Sequence, residues 1–517
     1  MDRRTFLQAV TSIAGTATLT GGALASTGVG SAHIPFEPLG SVDVPGAKEA
    51  VVHHDDEVAY VATGDGFAAV DISEPAEPSI LAERRGIENE SGELLRGIWD
   101  LWPWEDRLVV AGPAQGRGGN GSGFALFDIE QPSEPELVTA YETEFAIHNC
   151  YFDEGVAYLT GSSLRENPLV MVDVADDDPE EVGRWSIVDE DESYGDISVA
   201  LRPLHDVYVQ DGIAYLSYWD AGAWIVDVSD PAAPSVLSRV GAYDLSELLE
   251  VSGIDAQLNA FTPPGNAHYA QVNDDATILA VGEEAWAAET GDGLTGGAGG
   301  VRLYDISDKR NPSQLSTIDA PESYSQQRSG WFTTAHNLDI TGDRLYTSWY
   351  YGGVKIHDIS DPENPGEIAW WRQPEEASFW TAQSAGDNFV ASSLAAARIV
   401  GNSPTSTREA LYVFPDMVGE QHDPPSLTDP PEAIVGSDQG GGNQTGNGTR
   451  TGDGNGTADT GSESDDVVEN NSTADSDGSA DDGGPGFGPG AALAGLGGAS
   501  YLLARRHRSG ESEEFSE

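Results

Sequence analysis

One short phrase centred on an aspartate recurs along most of this sequence. The aspartate is followed by Ile or Val, then by Ser in four of the six copies, and four copies end in Pro; the copies lie at 70–75, 127–132, 172–174, 226–231, 304–308 and 357–362. A degenerate seventh copy lies at 411–415. Two short segments rich in β-branched and aromatic residues precede each phrase, and a further one follows it. Four short strands in each unit of roughly 50 residues are typical of a β-propeller blade, so the repeat predicts seven blades.

The seventh repeat lacks a fourth strand, because Pro415 and a polar region follow it. Residues 36–42 match the fourth-strand pattern and precede the first complete repeat. We therefore expect an all-β, seven-bladed β-propeller over residues 36–416, closed by an N-terminal strand in blade seven. A disordered stalk and a C-terminal anchoring segment would follow it. The recurring aspartate is expected to cap the turn after its strand, which is a structural role.

The charge of the chain excludes several classes of protein. Lys and Arg number 25 against 87 Asp and Glu, which gives a formal net charge of −62. A protein that binds a nucleic-acid backbone or an anionic membrane surface needs the opposite charge, so we expect neither. Only Lys48, Lys309 and Lys355 are lysines. This acid excess with few lysines resembles halophilic archaeal proteins, in which molar salt screens the repulsion between like charges.

The N-terminus has the features of an export signal. Arg3-Arg4 is followed by Phe6-Leu7 and by an apolar stretch of small residues that ends near Ala25. This arrangement resembles the twin-arginine signal, which exports folded proteins, and we assign residues 1–32 to it. The only cysteine, Cys150, lies far from this segment. A lipoprotein anchor at the signal and an intrachain disulfide are therefore not expected.

The C-terminal hundred residues predict a spacer and an anchor. Residues 419–484 are rich in Gly, Asn, Thr, Ser and Asp, which predicts a disordered acidic linker. Its glycosylation sequons begin at Asn443, Asn447, Asn455, Asn470 and Asn471. Residues 485–508 then combine Pro-Gly-Phe, a short apolar run and a basic end, and resemble the PGF-CTERM sorting signal. That resemblance implies an archaeosortase-like processing enzyme, extracellular attachment to the cell surface, and contact with the membrane only through this anchor, whose unprocessed apolar run would be a short transmembrane segment.

The repeat itself also resembles a known family. Residues 224–231, Trp-Ile-Val-Asp-Val-Ser-Asp-Pro, and their copies are similar to the LVIVD repeat of bacterial and archaeal surface proteins. The resemblance implies a β-propeller at the cell surface. It implies no settled activity.

Alignment of the second strands of the repeats shows two columns of polar and aromatic residues. Ten residues before the centre of each second strand stand Ala50, Trp99, His148, His205, His268, His336 and Trp380. The next column reads Val51, Asp100, Asn149, Asp206, Tyr269, Asn337 and Thr381. These positions begin the innermost strand of each blade, at the rim of the central channel. We expect ligand contacts at the channel mouth from Trp99, Asp100, Asn149, Asp206, Asn337 and Trp380.

Four of the ten histidines fall in the first column, on four consecutive blades. Neutral imidazoles that converge on the axis suit Zn, Cu or Fe, so His148, His205, His268 and His336 are candidate ligands of a transition metal. Glu283 is a possible further ligand; Glu284 follows it directly, and Asp220 occupies a comparable place in blade four. In the alternative interpretation each imidazole bonds the backbone of the neighbouring blade or the adjacent Asp or Asn.

Two functions follow from these residues. Three insertions, at 112–123, 241–266 and 282–300, are expected to surround the mouth that carries the histidines. The first hypothesis is a surface recognition or scaffold propeller that binds an unknown ligand or partner at this mouth. The second is a metal-dependent enzyme with redox or lyase chemistry at the four histidines. The sequence contains no Gly-x-Ser-x-Gly, His-Glu-x-x-His or phosphate-loop motif.

Overall fold

A computed structural model of the chain describes residues 35–431, except 117, 119, 120, 163–165, 292 and 397–405. The expected export signal, most of the expected linker and the expected sorting segment lie outside the described residues. Within that described part, no helix is long and apolar enough to cross a membrane.

Seven antiparallel sheets of four strands form the fold, and in six of them the strands follow chain order from the axis outwards. Blade one consists of Ala50–Val52, Val58–Ala62, Gly66–Asp71 and Ser79–Arg85. Blade two consists of Asp100–Trp104, Arg107–Gly112, Gly123–Asp128 and Glu136–Glu142. Blade three consists of Ala146–Asp153, Val156–Ser162, Leu169–Asp173 and Glu180–Trp185.

The later blades repeat this arrangement. Blade four consists of Asp206–Gln210, Ile213–Ser217, Ala223–Asp227 and Ser235–Val240. Blade five consists of Ala267–Val272, Ile278–Glu283, Val301–Asp305 and Ser313–Ile318. Blade six consists of Leu338–Thr341, Arg344–Ser348, Val354–Asp358 and Gly366–Trp371, with Gly419–Glu420 added in parallel. The first strands of neighbouring blades contact one another all round the ring, from blade one back to blade one.

Both ends of the propeller chain meet in blade seven. Its strands are Gln383–Ala385, Asn388–Ser393, Ala410–Pro415 and the N-terminal Gly40–Asp43. The N-terminal strand runs antiparallel to Ala410–Pro415, with Gly40 opposite Val413 and Asp43 opposite Ala410. The prediction of a seven-bladed propeller closed by an N-terminal strand is therefore confirmed. No blade is left with a missing fourth strand, which removes an exposed sheet edge.

The recurring aspartate caps the turn between the third and fourth strands. Asp71 Oδ1 accepts from Ser73 N at 3.0 Å and from Ser73 Oγ at 2.6 Å. The same backbone bond to residue i+2 recurs at Asp128, Asp173, Asp227, Asp305 and Asp358. These Asx turns are local and exposed, which confirms the structural role predicted for the phrase.

Helices occur only in connections within the described part of the chain. Ile187–Glu190, Glu192–Asp196 and Val199–Leu201 precede blade four, and the last two of these are 3₁₀ turns. Leu245–Glu250 and Gly253–Asn259 precede blade five. A small hairpin, Ala287–Thr290 with Gly293–Gly296, lies between the second and third strands of blade five. Phe261 and Trp286, from the insertions before and within blade five, line the same cavity as the histidines.

Candidate metal centre

The first column of the alignment forms a closed ring of aromatic side chains around the propeller axis. The centroid distances between successive rings are 5.8 Å for Trp99–His148, 4.2 Å for His148–His205, 3.7 Å for His205–His268, 4.5 Å for His268–His336, 4.1 Å for His336–Trp380 and 5.7 Å for Trp380–Trp99. Blade one contributes Ala50, whose small side chain leaves Trp99 and Trp380 in direct contact. The structure therefore brings all four histidines together.

Three of the four histidines have one ring nitrogen bonded to the backbone of another blade or its connections. His148 Nδ1 lies 2.7 Å from the Ala114 carbonyl, His205 Nδ1 3.0 Å from the His268 carbonyl, and His336 Nδ1 2.6 Å from the Trp380 carbonyl. A carbonyl oxygen only accepts, so Nδ1 carries the proton in each ring. In a neutral imidazole this leaves Nε2 with a lone pair, which is the state that ligates a metal.

The same three histidines are held neutral. Burial lowers the pKa of His148 to about 4 and that of His336 to about 3, with the neighbouring His268 as a further cause. Burial and the three other histidines lower the pKa of His205 well below 6.5. The backbone bonds fit the structural alternative, but they engage only Nδ1. A metal site and these backbone bonds are therefore compatible.

His268, Glu284 and His336 form the part of the ring that fits one metal ion. One ligand atom from each of the three lies within 4.8 Å of the others. His268 is 2% exposed, and its Nε2 has no hydrogen-bond partner. Its Nδ1 faces Glu284 Oε2 at 3.1 Å. Two imidazoles and one carboxylate are a common ligand set of zinc and of non-haem iron, and they leave further coordination positions open.

Glu284 is a fixed, charged carboxylate. Burial alone would raise its pKa, but His268, His336 and Arg328 together lower the pKa of Glu284 to about 2. Its Oε1 accepts from the Tyr350 hydroxyl at 2.5 Å. The carboxylate is thus oriented from one side by Tyr350 and held beside His268 on the other.

Glu283, the carboxylate predicted as a possible ligand, does not reach the cluster. Its Oε1 lies 3.0 Å from Arg302 Nε, and it is absent from the residues that line the cavity. Glu283 is the last residue of its strand, whereas Glu284 begins the turn that leads into the insertion. The adjacent residue points the other way because side chains alternate along a strand. Asp220 also stays outside the cluster, where its Oδ1 accepts from Asn266 N at 2.8 Å.

The cavity above the histidine ring contains about 430 Å³ of space between atoms, part of it open to solvent. Its lining residues are Trp99, Gln115, His148, His205, Trp219, Phe261, His268, Glu284, Trp286, Arg328, His336, Tyr350 and Trp380.

Trp219 and Tyr350 were not predicted from the sequence as site residues, although they occupy equivalent positions, four residues after the centres of their second strands. Both have positive φ, 36° and 47°, and both pair with the chain that enters the next blade. Arg328 and Phe261 lie in long connections with no repeat to reveal them.

The second column does not line the mouth as expected. Asp100, Asn149, Asp206 and Asn337 are buried, from 2% to 8% exposed, and are absent from the cavity lining. They form a separate layer. Asn149 Nδ2 donates to Asp206 at 2.5 Å, Asp100 accepts from Cys150 N at 2.7 Å, and Asn337 Nδ2 donates to Glu49. The alternation of successive residues explains why only Trp99 and Trp380 of the six predicted mouth residues face the cavity.

A third layer lies further along the first strands. Trp102 packs on Tyr151 at 4.3 Å between centroids, and Tyr151 packs on Tyr208 at 5.1 Å. On the opposite side Gln271 Nε2 donates to Asp339 at 2.6 Å. Side chains therefore follow the histidine ring along the axis, and the candidate site is a pocket entered from the insertion face.

The buried carboxylates of the second layer predict a pH-dependent stability. Burial, followed by the charge of Asp100, raises the pKa of Glu49, and burial raises the pKa values of Asp100 and Asp206. A raised folded-state pKa means that the unfolded chain ionises first, so unfolding becomes easier as pH rises above the ordinary glutamate pKa of 4.5.

Glu49→Gln removes one of these ionisations but keeps an amide oxygen for Asn337. We expect the free energy of unfolding to fall less between pH 5 and pH 8 in this variant than in the parent protein. Denaturant unfolding at both pH values measures the difference. Histidine titration contributes equally to the pH dependence of both proteins, because both contain the same histidines. The exposed Glu57→Gln is the control and should behave like the parent. If the free energy of unfolding falls as much between pH 5 and pH 8 in the Glu49→Gln variant as in the parent protein, the interpretation is wrong.

Comparison with known proteins identifies the repeat. The LVIVD repeat matches residues 56–83 and 204–241. This chain carries LVIVD repeats. The matched LVIVD stretches cover the second and third strands and most of the fourth strand of blade one, and all four strands of blade four, including the Asp227 turn; His205 also lies within the match. The PGF-CTERM motif, an archaeal sorting signal, matches residues 484–507.

Several solved structures are similar to this LVIVD-repeat chain. The β-propeller domain of Myceliophteria thermophila Cps50 (Swd1) has 9% sequence identity, covers 74% of this chain and 99% of its own, and gives a TM-score of 0.48. The WD40 repeats of RRP9 have 10% identity, cover 74% and 98%, and give 0.48. U3-55K has 11% identity, covers 74% and 98%, and gives 0.47. No curated protein matches the sequence.

Proposed function

We propose that this protein is a cell-surface β-propeller that binds one divalent transition-metal ion in its axial pocket, through His268, Glu284 and His336. The observation that carries the proposal is buried His268, whose Nε2 has no hydrogen-bond partner and which forms, with the charged Glu284 and with His336, a group of ligand atoms within 4.8 Å of one another. A buried polar atom with no partner costs on the order of 1–3 kcal/mol, which a metal ion would offset.

The ligand set favours zinc or iron among the metals considered from the sequence. Carboxylate and imidazole together suit both, whereas copper sites more often add sulfur or further imidazoles. When bound, such an ion supplies Lewis-acid or redox chemistry at its open positions. His148 and His205 lie directly beside the ligand set and complete the wall of imidazoles around the ion-binding position. Of the two functions left open by the sequence, this geometry supports the metal-dependent one.

The cellular setting agrees with the two ends of the chain. The PGF-CTERM motif indicates an exported protein that is anchored at the cell surface. The finer proposals rest on sequence alone: export by the twin-arginine route from Arg3-Arg4, glycosylation of the linker at its sequons, and adaptation to high salt from the charge of −62. Removal of the tail by an archaeosortase-like enzyme is proposed for the same reason. The pocket would then face the medium and draw its metal and ligands from outside the cell.

Metal analysis of the whole protein tests the proposal. We expect about one zinc or iron per chain in protein purified without chelator, because three ligands converge on one point. A His268→Ala variant should lose this metal, while His422→Ala, which removes an exposed histidine (side chain 78% exposed), should keep it. Metal below one-tenth of stoichiometry in the parent protein, after incubation with either ion, would contradict the metal site and return the recognition hypothesis to first place.

A further inference from the structure

Arg328 is the one pocket-lining residue with a fixed positive charge. It lies in the long connection between the last strand of blade five and the first strand of blade six. Its guanidinium carbon lies 4.9 Å from the centroid of the Trp286 ring, which is a cation–π contact. It makes no hydrogen bond or ion pair with any residue that the structure describes, and its Nε is buried without a partner.

Arg328 is largely buried, yet no carboxylate in the described part of the chain lies within 4.0 Å of its guanidinium, unlike the ion-paired arginines of this chain. Six other arginines, Arg85, Arg107, Arg184, Arg302, Arg344 and Arg408, each have an ion-pair partner. Arg328 is close enough to Glu284 for its charge to lower that carboxyl's pKa, yet the two form no ion pair within 4.0 Å. Glu284 already accepts from the Tyr350 hydroxyl and lies 3.1 Å from His268 Nδ1. Burial lowers the pKa of Arg328, but a guanidinium remains protonated at neutral pH.

Most of the remaining pocket wall is aromatic. Trp99, Trp219, Trp286, Trp380 and Phe261 present indole and phenyl surface around the ion-binding residues. Such a wall favours a flat apolar body, because ring stacking and burial of apolar area both stabilise it. A guanidinium adds a fork of N–H donors that matches a carboxylate in two parallel hydrogen bonds. Because part of the space of about 430 Å³ is open solvent, the enclosed part of the pocket accommodates only a small ligand.

We propose that the pocket takes a small carboxylate with a flat apolar body, whose carboxylate is held by Arg328 beside the ion-binding residues. The inference deepens the proposed function, since it names the ligand class for the same pocket, but the arginine and the aromatic wall do not depend on the metal. Selection by charge would favour carboxylic acids over the neutral molecules of the same shape.

The test uses benzoate as the probe and benzamide as its neutral isostere. Quenching of tryptophan fluorescence is titrated in metal-free full-length protein, which has four tryptophans in the pocket wall. We expect benzoate to bind at least tenfold more tightly than benzamide. Arg328→Gln should remove this preference by weakening benzoate roughly tenfold to hundredfold, the usual cost of a lost charged hydrogen bond, and leave benzamide unchanged. Arg328→Lys should retain part of the preference, and Arg310→Gln, at an exposed arginine, should retain all of it.

The outcomes separate this proposal from the metal site. Equal binding of benzoate and benzamide, no binding of benzoate, or an unchanged preference in Arg328→Gln would each overturn the carboxylate proposal. A protein that selects benzoate through Arg328 but takes up no metal would support this ligand class and refute the metal centre. Repeating the titration after zinc loading shows whether the ion adds to the affinity for benzoate. In the protein with Arg328 intact, an unchanged or greater affinity supports the proposal. Loss of benzoate binding on zinc loading overturns the placement of the carboxylate beside the ion.

Discussion

Glu284→Gln is expected to weaken zinc binding by at least roughly a hundredfold. The substitution keeps the size of the side chain but replaces a charged ligand oxygen with a neutral amide oxygen, in a pocket where low dielectric strengthens the attraction between carboxylate and cation. Changes at groups that only orient a ligand already cost about tenfold to hundredfold in metal affinity, so loss of the ligand's charge costs more. Isothermal titration with Zn²⁺ at one pH and one salt concentration measures the change.

Two further variants make that experiment specific. Glu283→Gln alters the neighbouring carboxylate, which pairs with Arg302 outside the pocket, and should leave the affinity for Zn²⁺ within a few-fold of the parent. Tyr350→Phe removes only the hydroxyl that orients Glu284 and should cost about tenfold to hundredfold. If Glu284→Gln binds Zn²⁺ as tightly as the parent, or if Glu283→Gln is the variant that fails, then the ligand assignment is wrong.

The fold and the histidine ring could be predicted because both depend on repetition. A blade recurs with its strands in the same order, so alignment of Tyr158, Tyr215 and Tyr346 places the histidines ten residues earlier at equivalent positions. Closure of the ring then brings equivalent positions of neighbouring blades into contact. His205 and His268 are 63 residues apart in sequence, yet their ring centroids are 3.7 Å apart.

The remaining parts of the site depend on single connections, where no repeat can guide an alignment. Glu283 and Glu284 are both at the end of a strand, and only the direction of the chain there decides which carboxylate faces the pocket. Arg328 belongs to the single long connection between blades five and six. The sequence predicts the second column at the mouth because it adjoins the first column. Successive side chains of a strand point in opposite directions, however, so Asp100 and Asp206 lie in a separate buried layer. Sequence therefore predicted which blades form the site better than which atoms complete it.

Closure of the ring by the N-terminal segment predicts the second large effect. Phe36 is fully buried, and its ring stacks at 6.4 Å on Phe389 and at 5.9 Å on Phe414. Its backbone N–H also donates to the Glu420 carbonyl at 2.9 Å. We expect Phe36→Ala to lower the free energy of unfolding by about 3–5 kcal/mol, because it removes buried apolar surface and leaves a cavity between the two chain ends. Denaturant unfolding followed by tryptophan fluorescence measures it.

Leu39→Ala tests whether the loss of stability comes from the buried contact of Phe36 with blade seven or from any truncation in the N-terminal segment. Leu39 is 44% exposed, and its backbone N–H, which donates to Val413 at 2.8 Å, is retained in the variant. Its cost should therefore stay below about 1 kcal/mol, as is usual at exposed positions. Because a propeller is closed by pairing its two ends, loss of Phe36 should also expose the Ala410–Pro415 strand to protease before the other blades are cut. Similar stability losses in both variants, or cleavage that begins in another blade, would show that the N-terminal strand is not what holds the ring closed.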